Sequence, residues 1–408
     1  MKNKKPAIRF KGFSEEWEEK KLGDMASETY GGGTPKTTEQ SYWNGIIPWF
    51  QSSDLTESKL SDVIPRKYIS NEGLKTSATK LIPKNSIAVI TRVGVGKLAL
   101  MPFAYATSQD FLSLSNLNID ENFGVYAIYK KIQKELNAVQ GTSIKGITKD
   151  ELLSKSFSVP KQIDEQTQIG NFFKNLDNLI TLHQRKYEKL EILKKAMLEK
   201  MFPKNGADVP EIRFKGFEVA WEERKLGDIA NFSKGQGYSK NDLAETGNPI
   251  ILYGRLYTKY QTIISEVDTF VSYKSGSILS TGNEVIIPSS GESAEDIARA
   301  SAVVKSGILL GGDLNIIYPN DSINSIFLAL TISFGRPQKE LAKKAQGKSV
   351  VHLRNTDLKE IDLQYPSKEE QEKIGNYFKN LDNLLTLHQG ELTKLKNLKK
   401  AMLEKMFV

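Results

Sequence analysis

The sequence predicts a mixed α+β fold that is built twice along the chain, with a long helix at the end of each copy. Three observations predict this fold. Segments of nearly identical sequence recur at a spacing of 204 or 205 residues, apolar residues follow a helical period at the end of each copy, and short strand-like runs lie between them. A length of 408 residues is enough for two or three globular domains.

The repeat is the clearest feature of the sequence. Three segments recur in the same order: IRFKGF at 8–13 and 212–217, IGNFFKNLDNLITLHQ at 169–184 and IGNYFKNLDNLLTLHQ at 374–389, and LKKAMLEKMF at 193–202 and 398–407. Matches of this length in a fixed order indicate an internal duplication. The chain therefore consists of two halves that share an opening segment and a long closing segment.

The middle of each half does not share this similarity. The stretches at 27–150 and 231–350 differ almost throughout, and only short pieces near their ends agree. A duplicated catalytic domain would be expected to keep its reactive residues in both copies. A duplicated recognition module keeps its scaffold and varies its reading surface, and the pattern favours this second interpretation.

Each insert is predicted to be a compact domain of strands and helices. Strand-like runs, rich in β-branched and aliphatic residues and bounded by turn residues, lie at 86–93, 111–119, 284–290 and 314–319. The stretches at 322–334 and 336–346 are more typical of helices.

The closing segments, 166–202 and 371–407, have apolar residues at alternating steps of three and four, which predicts a helix that packs along one face. A helix of 37 residues would be about 55 Å long. His183 and His388 occupy equivalent heptad positions, where a polar residue commonly fixes the register of paired helices. The residues predicted to pair the helices are Ile169, Phe173, Leu176, Ile180, His183, Leu190, Ile374, Phe378, Leu381, Leu385, His388 and Leu395.

Composition narrows the possible functions. The chain has 57 Lys and Arg against 49 Asp and Glu, a net charge of +8, no cysteine and three histidines. These numbers exclude thiolate chemistry and cysteine-based metal sites, and they favour a polyanionic partner. The sequence has neither a long apolar run nor a secretory signal at its start, so a cytoplasmic protein without a membrane partner is expected. We find no catalytic motif and expect no catalytic residue and no bound metal.

Two glycine-containing stretches leave alternatives open. Residues 342–349 fit a relaxed nucleotide-binding loop, although alanine replaces the first glycine and the preceding residues are helical in character. The stretch 92–97 could hold a phosphate through backbone amides, or it could simply form a tight turn between strands.

Basic, amide, hydroxyl and aromatic residues of the inserts are candidates for contacts with DNA, since such groups bind phosphates and base edges. Loops are polar in any case, and Trp43 and Trp49 could be core residues. The candidates in the first insert are Lys36, Thr37, Tyr42, Asn44, Ser52, Ser53, Thr91, Arg92, Lys97, Gln109, Ser143 and Lys145. Those in the second insert are Lys234, Gln236, Tyr238, Lys240, Arg255, Tyr257, Lys259, Ser289, Ser290 and Lys348.

The whole chain resembles the specificity subunit of type I restriction–modification enzymes. The resemblance rests on motifs that occur twice in the right order, and on one that occurs only in the first half. They are Trp17–Asp24 with its repeat, Glu165-Gln166 after Pro160, Glu370-Gln371 after Pro366, and Gly33-Thr34-Pro35 followed by Tyr42–Trp49. The second insert lacks the Gly-Thr-Pro element, so its contacts cannot be carried over from the first.

The resemblance implies a non-catalytic subunit that binds double-stranded DNA, each insert being a target recognition domain for one half of a bipartite, asymmetric site. It also implies that the two helices pair antiparallel, as a coiled coil with a pseudo-twofold axis, set the spacer and dock two methyltransferase subunits. The full complex would add two restriction and translocase subunits. S-adenosylmethionine, ATP and magnesium would belong to these partners, and this chain would bind no cofactor.

The expected domains are 1–163 and 204–368, followed by spacer helices at 164–203 and 369–408. The alternative is a nucleic-acid-binding scaffold that does not read sequence. Two similar inserts would be sufficient for such a scaffold, so their divergence argues against it.

Overall fold

A computed structural model describes residues 5–138, 146–204, 206–345 and 350–408. The chain forms two compact units: unit 1 comprises Met1–Gln184 and Gln389–Val408, and unit 2 comprises Arg185–His388. Both boundaries lie inside the long helices, so each helix belongs in part to each unit. Among the described residues, no helix is both long enough and apolar enough to span a membrane.

Unit 1 contains short strands and helices before its long helix. The strands are β1 (Glu18–Lys21), β2 (Ala26–Gly31), β3 (Ile47–Phe50), β4 (Lys67–Ile69), β5 (Ser86–Ile90), β6 (Leu98–Met101), β7 (Ala106–Thr107), β8 (Phe111–Leu117) and β9 (Ser156–Val159). The helices are α1 (Leu22–Met25), α2 (Asn71–Lys75), α3 (Glu121–Ala138), α4 (Lys149–Ser154) and α5 (Ile163–Lys200), the last of which continues into unit 2.

The strands of unit 1 form an antiparallel sheet in the order β2-β8-β5-β6, a small sheet in the order β4-β3-β7, and the pair β1-β9. The hydrophobic core lies between the larger sheet, α3 and the start of α5. The predicted strands at 86–93 and 111–119 are confirmed, the first ending earlier, at Ile90. Helix α3 was not predicted; Asp120 caps its start by accepting a hydrogen bond from the Phe123 amide at 2.8 Å.

Unit 2 has the corresponding elements and several additional short strands. The strands are β10 (Glu222–Lys225), β11 (Ala230–Lys234), β12 (Leu243–Ala244), β13 (Asn248–Ile251), β14 (Ile263–Ile264), β15 (Phe270–Val271), β16 (Glu284–Pro288), β17 (Ser290–Gly291), β18 (Ser301–Val303), β19 (Leu309–Leu310), β20 (Leu314–Pro319), β21 (Val351–His352) and β22 (Asp362–Tyr365). The helices are α6 (Leu226–Ile229), α7 (Arg255–Thr258), α8 (Ala294–Ile297), α9 (Ser325–Phe334), α10 (Arg336–Lys344), α11 (Asn355–Lys359) and α12 (Lys368–Lys405), the last of which continues into unit 1.

The strands of unit 2 form one sheet in the order β11-β20-β16-β18-β14 and another in the order β12-β15-β13-β19, with the pairs β10-β22 and β17-β21. The predicted strands at 284–290 and 314–319 and the predicted helices at 322–334 and 336–346 are confirmed as β16, β20, α9 and α10. The mixed helix and strand content and both long helices are confirmed as well.

The repeated Trp-Glu-Glu motif forms the same structure in both units. β1 pairs antiparallel with β9, with Glu18 opposite Val159, and β10 pairs in the same way with β22, with Glu222 opposite Tyr365. The strand that opens each unit is thus bonded to the strand that leads into its long helix. This pairing brings together the two chain segments that flank each insert.

An arginine clamp fixes the start of each long helix. Arg9 donates two hydrogen bonds to Glu165, at 2.6 and 2.8 Å, and Arg213 donates two to Glu370, at 2.7 and 2.8 Å. Both carboxylates are about 1% exposed. Such paired, bidentate contacts compensate for the removal of the charges from water.

The glutamine beside each clamp glutamate connects the long helix to the start of an earlier helix, α3 in unit 1 and α9 in unit 2. Gln166 accepts a hydrogen bond from the Asp120 amide at 2.9 Å and donates one to the Pro160 carbonyl at 2.8 Å. Gln371 bonds to the Asn324 amide and the Pro366 carbonyl in the same way, at 2.8 and 2.9 Å. The repeated Glu-Gln pair is therefore structural in both units.

Each core is completed by the end of the helix that began in the other unit. In unit 1, Phe407 packs on Phe123 and Phe173, with ring centroids 5.4 and 5.6 Å apart. In unit 2, Phe202 packs on Phe327 at 6.0 Å in the equivalent arrangement. The repeated LKKAMLEKMF segment thus completes the two cores.

We predict that Glu165→Ala lowers the free energy of unfolding of unit 1 by about 3–5 kcal/mol, because it leaves the Arg9 charge buried without its partner. The check is chemical denaturation followed by tryptophan fluorescence, to which Trp17 contributes; its indole also donates to Glu165.

The matched control is Glu18→Ala. Its carboxylate pairs with Lys20 on the surface, and such pairs contribute about 0–1 kcal/mol. Equal losses of unfolding free energy from both substitutions would show that the clamp contributes no more to stability than a surface ion pair.

Candidate nucleic-acid interface

Two tryptophans hold the Gly33–Lys36 loop of unit 1. Trp49 donates to the Gly33 carbonyl at 3.0 Å, and Trp43 donates to the Lys36 carbonyl at 3.2 Å. Their rings pack edge to face with centroids 5.0 Å apart. Trp49 is a core residue, whereas Trp43 is half-exposed. The loop therefore rests on an aromatic pair, with the side chains of Lys36 and Thr37 exposed.

A cleft of about 420 Å³ opens next to this loop, and it is lined by Thr37, Trp43, Gly45, Arg66, Lys67 and Tyr68. The Lys67 ammonium lies 5.3 Å from the Trp43 ring and 5.8 Å from the Trp49 ring. Sequence reasoning named Thr37 but missed Arg66, Lys67 and Tyr68. The signal for these three was the adjacency of two basic residues and a tyrosine after Pro65.

Other candidates of the first insert lie around this region or in turns. Asn44 and Ser53 are exposed, and Tyr42 and Ser52 are half-buried. Gln109 is exposed and accepts a hydrogen bond from the Thr34 hydroxyl at 2.7 Å. Ser143 and Lys145 lie outside the described residues.

The glycine-rich stretch at 92–97 is a turn between β5 and β6, which pair antiparallel. Gly94 and Gly96 have φ of 92° and 104°, a region that favours glycine. Of the two possibilities left open by the sequence, the structure shows the turn. Thr91 is buried and bonds to the Asp110 carbonyl, while Arg92 is exposed and Lys97 is half-buried.

The candidates at the start of the second insert surround a buried tyrosine. Tyr238 shares a 2.6 Å hydrogen bond with Ser277 and accepts one from the Lys274 amide at 2.7 Å. The Lys274 ammonium lies 4.9 Å from the Tyr238 ring and pairs with Asp242, whose pKa it lowers to about 2. Lys234, Gln236 and Lys240 are exposed beside this cluster.

The remaining candidates of unit 2 bond mainly within the unit. Arg255, whose side chain is 8% exposed, and the exposed Lys259 both pair with Asp268 at 2.6 Å, and the hydrogen bonds from Lys259 and Arg255 lower the pKa of Asp268. Tyr257 donates to the Ser290 carbonyl at 2.8 Å.

Ser289 is buried and Ser290 is half-buried. Lys348 lies outside the described residues, and the start of the relaxed nucleotide-binding pattern, Ala342–Lys344, is the end of helix α10. A phosphate-binding loop of this type follows a strand, so the local structure disagrees with that interpretation.

The long helices run antiparallel within each unit. In unit 1, Asp177 pairs with Lys399 at 2.6 Å and Phe173 packs on Phe407. In unit 2, Lys194 pairs with Asp382 and Phe202 packs on Phe378. The two ion pairs are equivalent in the repeat, since Asp177 corresponds to Asp382 and Lys399 corresponds to Lys194. The helices therefore pair in the same register in both units.

The residues predicted to pair the helices lie along these contacts. Those that are buried are Ile169, Phe173, Leu176, Ile374, Phe378 and Leu381, and those that are half-buried are Ile180, His183, Leu190, Leu385, His388 and Leu395. His183 contributes to lowering the pKa of Glu391, after the larger effect of Lys394. The register contacts that sequence reasoning missed are the Lys–Asp pairs.

Large apolar side chains also remain exposed on these helices. Unit 1 exposes Leu179, Leu182 and Leu398, and unit 2 exposes the repeat equivalents of these residues, Leu384, Leu387 and Leu193. The same three leucines are therefore exposed in both units. Repeated exposed apolar residues are typical of a docking surface for another protein.

Duplicated α+β units with unlike basic and aromatic surfaces are typical of a duplicated recognition protein. The comparisons identify the family. The sequence matches the family "Type I restriction modification DNA specificity domain" twice, over residues 14–192 and 218–397. These matches cover most of the chain, so this protein belongs to that family.

Relatives and a solved structure agree with this assignment. The chain is 24% identical to the type I restriction enzyme MjaIX specificity subunit of Methanocaldococcus jannaschii, over 96% of this chain and 92% of that protein. It is 32% identical to the EcoR124I/EcoR124II specificity subunit of Escherichia coli, over 44% of this chain and 48% of that protein. The fold matches that of a type I restriction–modification S subunit from M. genitalium, with a TM-score of 0.62, 19% identity and coverage of 99% of both chains.

We predict that Asp177→Ala destabilises unit 1 by about 3 kcal/mol, because it leaves the buried Lys399 charge without its carboxylate. The Lys399 and Asp177 side chains are only 10% and 13% exposed, and Asp177 also accepts a hydrogen bond from Tyr126 at 2.6 Å.

The matched control is Asp382→Ala in unit 2. That ion pair is more exposed, with 22% for Lys194 and 30% for Asp382, so we expect a loss of about 1 kcal/mol. Thermal unfolding of the two variants measures the difference, and a larger loss for Asp382→Ala would contradict this order.

Proposed function

We propose that this chain is the sequence-reading subunit of a type I restriction–modification complex, in which each unit reads one half of a bipartite, asymmetric DNA site. The observation that carries the proposal is the contrast between a constant frame and unlike surfaces. The arginine clamp, the strand pair at its base and the antiparallel helices recur in both units, whereas the aromatic and basic cleft at Trp43 belongs to unit 1. Unlike surfaces on a shared frame suit the reading of two different half-sites.

In this proposal the chain performs no covalent chemistry itself and directs partner subunits to a sequence. The relatives named above are specificity subunits, which supports this division of labour. S-adenosylmethionine, ATP and magnesium then belong to the partner subunits. The net charge of +8 favours association with the phosphates of double-stranded DNA.

The exposed leucines support docking of two methyltransferase subunits, one for each unit. Leu179, Leu182 and Leu398 in unit 1 have equivalents in unit 2, so two copies of one partner would find the same three residues. Two restriction and translocase subunits would join in the full complex. The paired helices would set the number of unread base pairs between the half-sites.

The alternative function is a nucleic-acid-binding scaffold without sequence readout. Exchange of the insert 27–150 for that of a relative distinguishes the two functions. We predict that the exchange changes one half of the methylated motif and leaves the other half unchanged, because each insert is attached to its own clamp. Sequencing of modified bases in a host that carries the chain and its methyltransferase subunits measures the motif.

The matched control is exchange of 231–350, which should change the other half. A scaffold would show no defined motif before or after either exchange. A change in both halves from one exchange would contradict modular reading.

We further predict that seven residues inserted after Gln184 and seven after His388 lengthen the unread spacer by about three base pairs. One heptad in each helix preserves the apolar pattern and adds about 10 Å, at 1.5 Å per residue. The base sequences of both half-sites should stay the same, as measured by modified-base sequencing.

The control carries the insertion after Gln184 only. That change shifts one helix against the other, so the Lys194–Asp382 and Lys399–Asp177 pairs no longer form in one register, and a defined motif should be lost. If the variant with both insertions still directed methylation of sites with the original spacer, the helices would not set the distance between the half-sites.

A further inference from the structure

The small sheets of the two units differ at one edge. In unit 1, β3 pairs in parallel with β7 on one side and antiparallel with β4 on the other. In unit 2, β13 pairs in parallel with β19 and antiparallel with β15, so β15 is the counterpart of β4. β15 is covered on its far side by β12, whereas no strand among the described residues pairs with the far side of β4.

The uncovered edge of unit 1 is basic and aromatic. Arg66 precedes β4, and Lys67 and Tyr68 lie on it with exposed side chains. In unit 2 the counterparts of Lys67 and Tyr68 are Thr269 and Phe270, according to their pairing with β13. The Thr269 hydroxyl donates to the Ile250 carbonyl within the sheet. The basic side chains thus occur on this strand only where the edge is open.

A buried carboxylate orients Arg66. The Asp54 side chain is fully buried, and one of its oxygens accepts a hydrogen bond from the Gln51 amide at 2.9 Å. Its other oxygen accepts no hydrogen bond from the described residues and lies 3.5 Å from Arg66 Nε. The Arg66 side chain nevertheless remains 69% exposed. Arg66 therefore forms an ion pair with Asp54 through Nε, while most of its side chain is accessible to solvent.

Lys67 is oriented by different neighbours. Its ammonium lies against the faces of Trp43 and Trp49, at 5.3 and 5.8 Å from their ring centroids. Such cation–π contacts favour one position of the charge while leaving it accessible. Two basic residues thus line the same cleft.

We propose that the open β4 edge is the element with which unit 1 reads its half-site, that Arg66 binds a guanine and that Lys67 binds a phosphate. An arginine fork matches the O6 and N7 acceptors of guanine in the major groove, which admits β-strands. A lysine at a strand edge disfavours the addition of a peptide strand, so duplex DNA is the better-suited partner. The inference rests on the proposed function, and it implies that unit 2 reads its half-site with a different element.

The test uses the full chain assembled with its methyltransferase subunits. The variants are Arg66→Ala, Lys67→Ala and Asp54→Asn, and the control is Lys84→Ala, which removes an exposed lysine outside the cleft. Methylated motifs are determined by modified-base sequencing, and affinities are measured on duplexes carrying each single base-pair change at several salt concentrations.

Arg66→Ala should reduce discrimination at one G·C pair of the first half-site by about tenfold or more and leave the second half-site unchanged. Lys67→Ala should weaken binding to all duplexes and reduce the slope of log affinity against log salt by about one. Asp54→Asn should relax the same G·C pair less strongly, as expected for a positioning residue. Lys84→Ala should retain the wild-type motif.

An unchanged motif and unchanged affinities for Arg66→Ala and Lys67→Ala would overturn the inference while leaving the proposed function intact. Loss of assembly with the methyltransferase subunits, at unchanged thermal stability, would also overturn it, because the edge would then be a protein-docking surface. A wild-type complex without a bipartite motif would instead refute the proposed function.

Discussion

The arginine clamp at the start of each long helix is the contact on which the rest of the structure depends. It joins residues 156 positions apart in unit 1 and 157 apart in unit 2, and it draws the opening segment onto the helix that closes the same repeat. A buried carboxylate without its arginine would be costly, so the opening segment has one favourable position. The neighbouring glutamine then fixes the start of α3 at Asp120 or of α9 at Asn324.

The close approach at this junction explains the glycine that follows the Glu-Gln pair in unit 1. A Cβ on Gly170 would lie 2.6 Å from the Phe123 amide nitrogen, which is too close, whereas one on Gly375 would lie 3.4 Å from Asn324 Oδ1, an ordinary van der Waals distance. In unit 1 the glycine therefore allows the long helix to contact the start of α3. The same contact between the glutamine of the long helix and the capping residue, Asp120 or Asn324, thus occurs in both units.

The sequence repeat and the folded unit are not the same stretch of chain. Residues 389–408 belong to unit 1 and complete its core through Phe407, although they close the second repeat. The opening segment also contacts the end of α12 there, since the Ile8 amide donates to the Lys405 carbonyl at 2.9 Å. In unit 2 the equivalent Ile212 amide donates to the Lys200 carbonyl, at the end of α5, at 3.0 Å. In each unit the opening segment is thus bonded to the end of a long helix.

The sequence by itself determined the duplication, both long helices and most of the strands and helices assigned to the inserts, and it favoured the interpretation of the inserts as recognition domains. These are properties of local period and of self-similarity, which a single sequence displays directly. Only the tertiary structure decided that Glu165 meets Arg9, that Lys194 and Lys399 pair with aspartates, and that Arg66 and Lys67 share a cleft with Trp43. It also showed that Arg255 is held inside unit 2 by Asp268. The reason is physical: whether a polar side chain stabilises the fold or is presented to a partner depends on neighbours distant in sequence, and no periodicity records those neighbours.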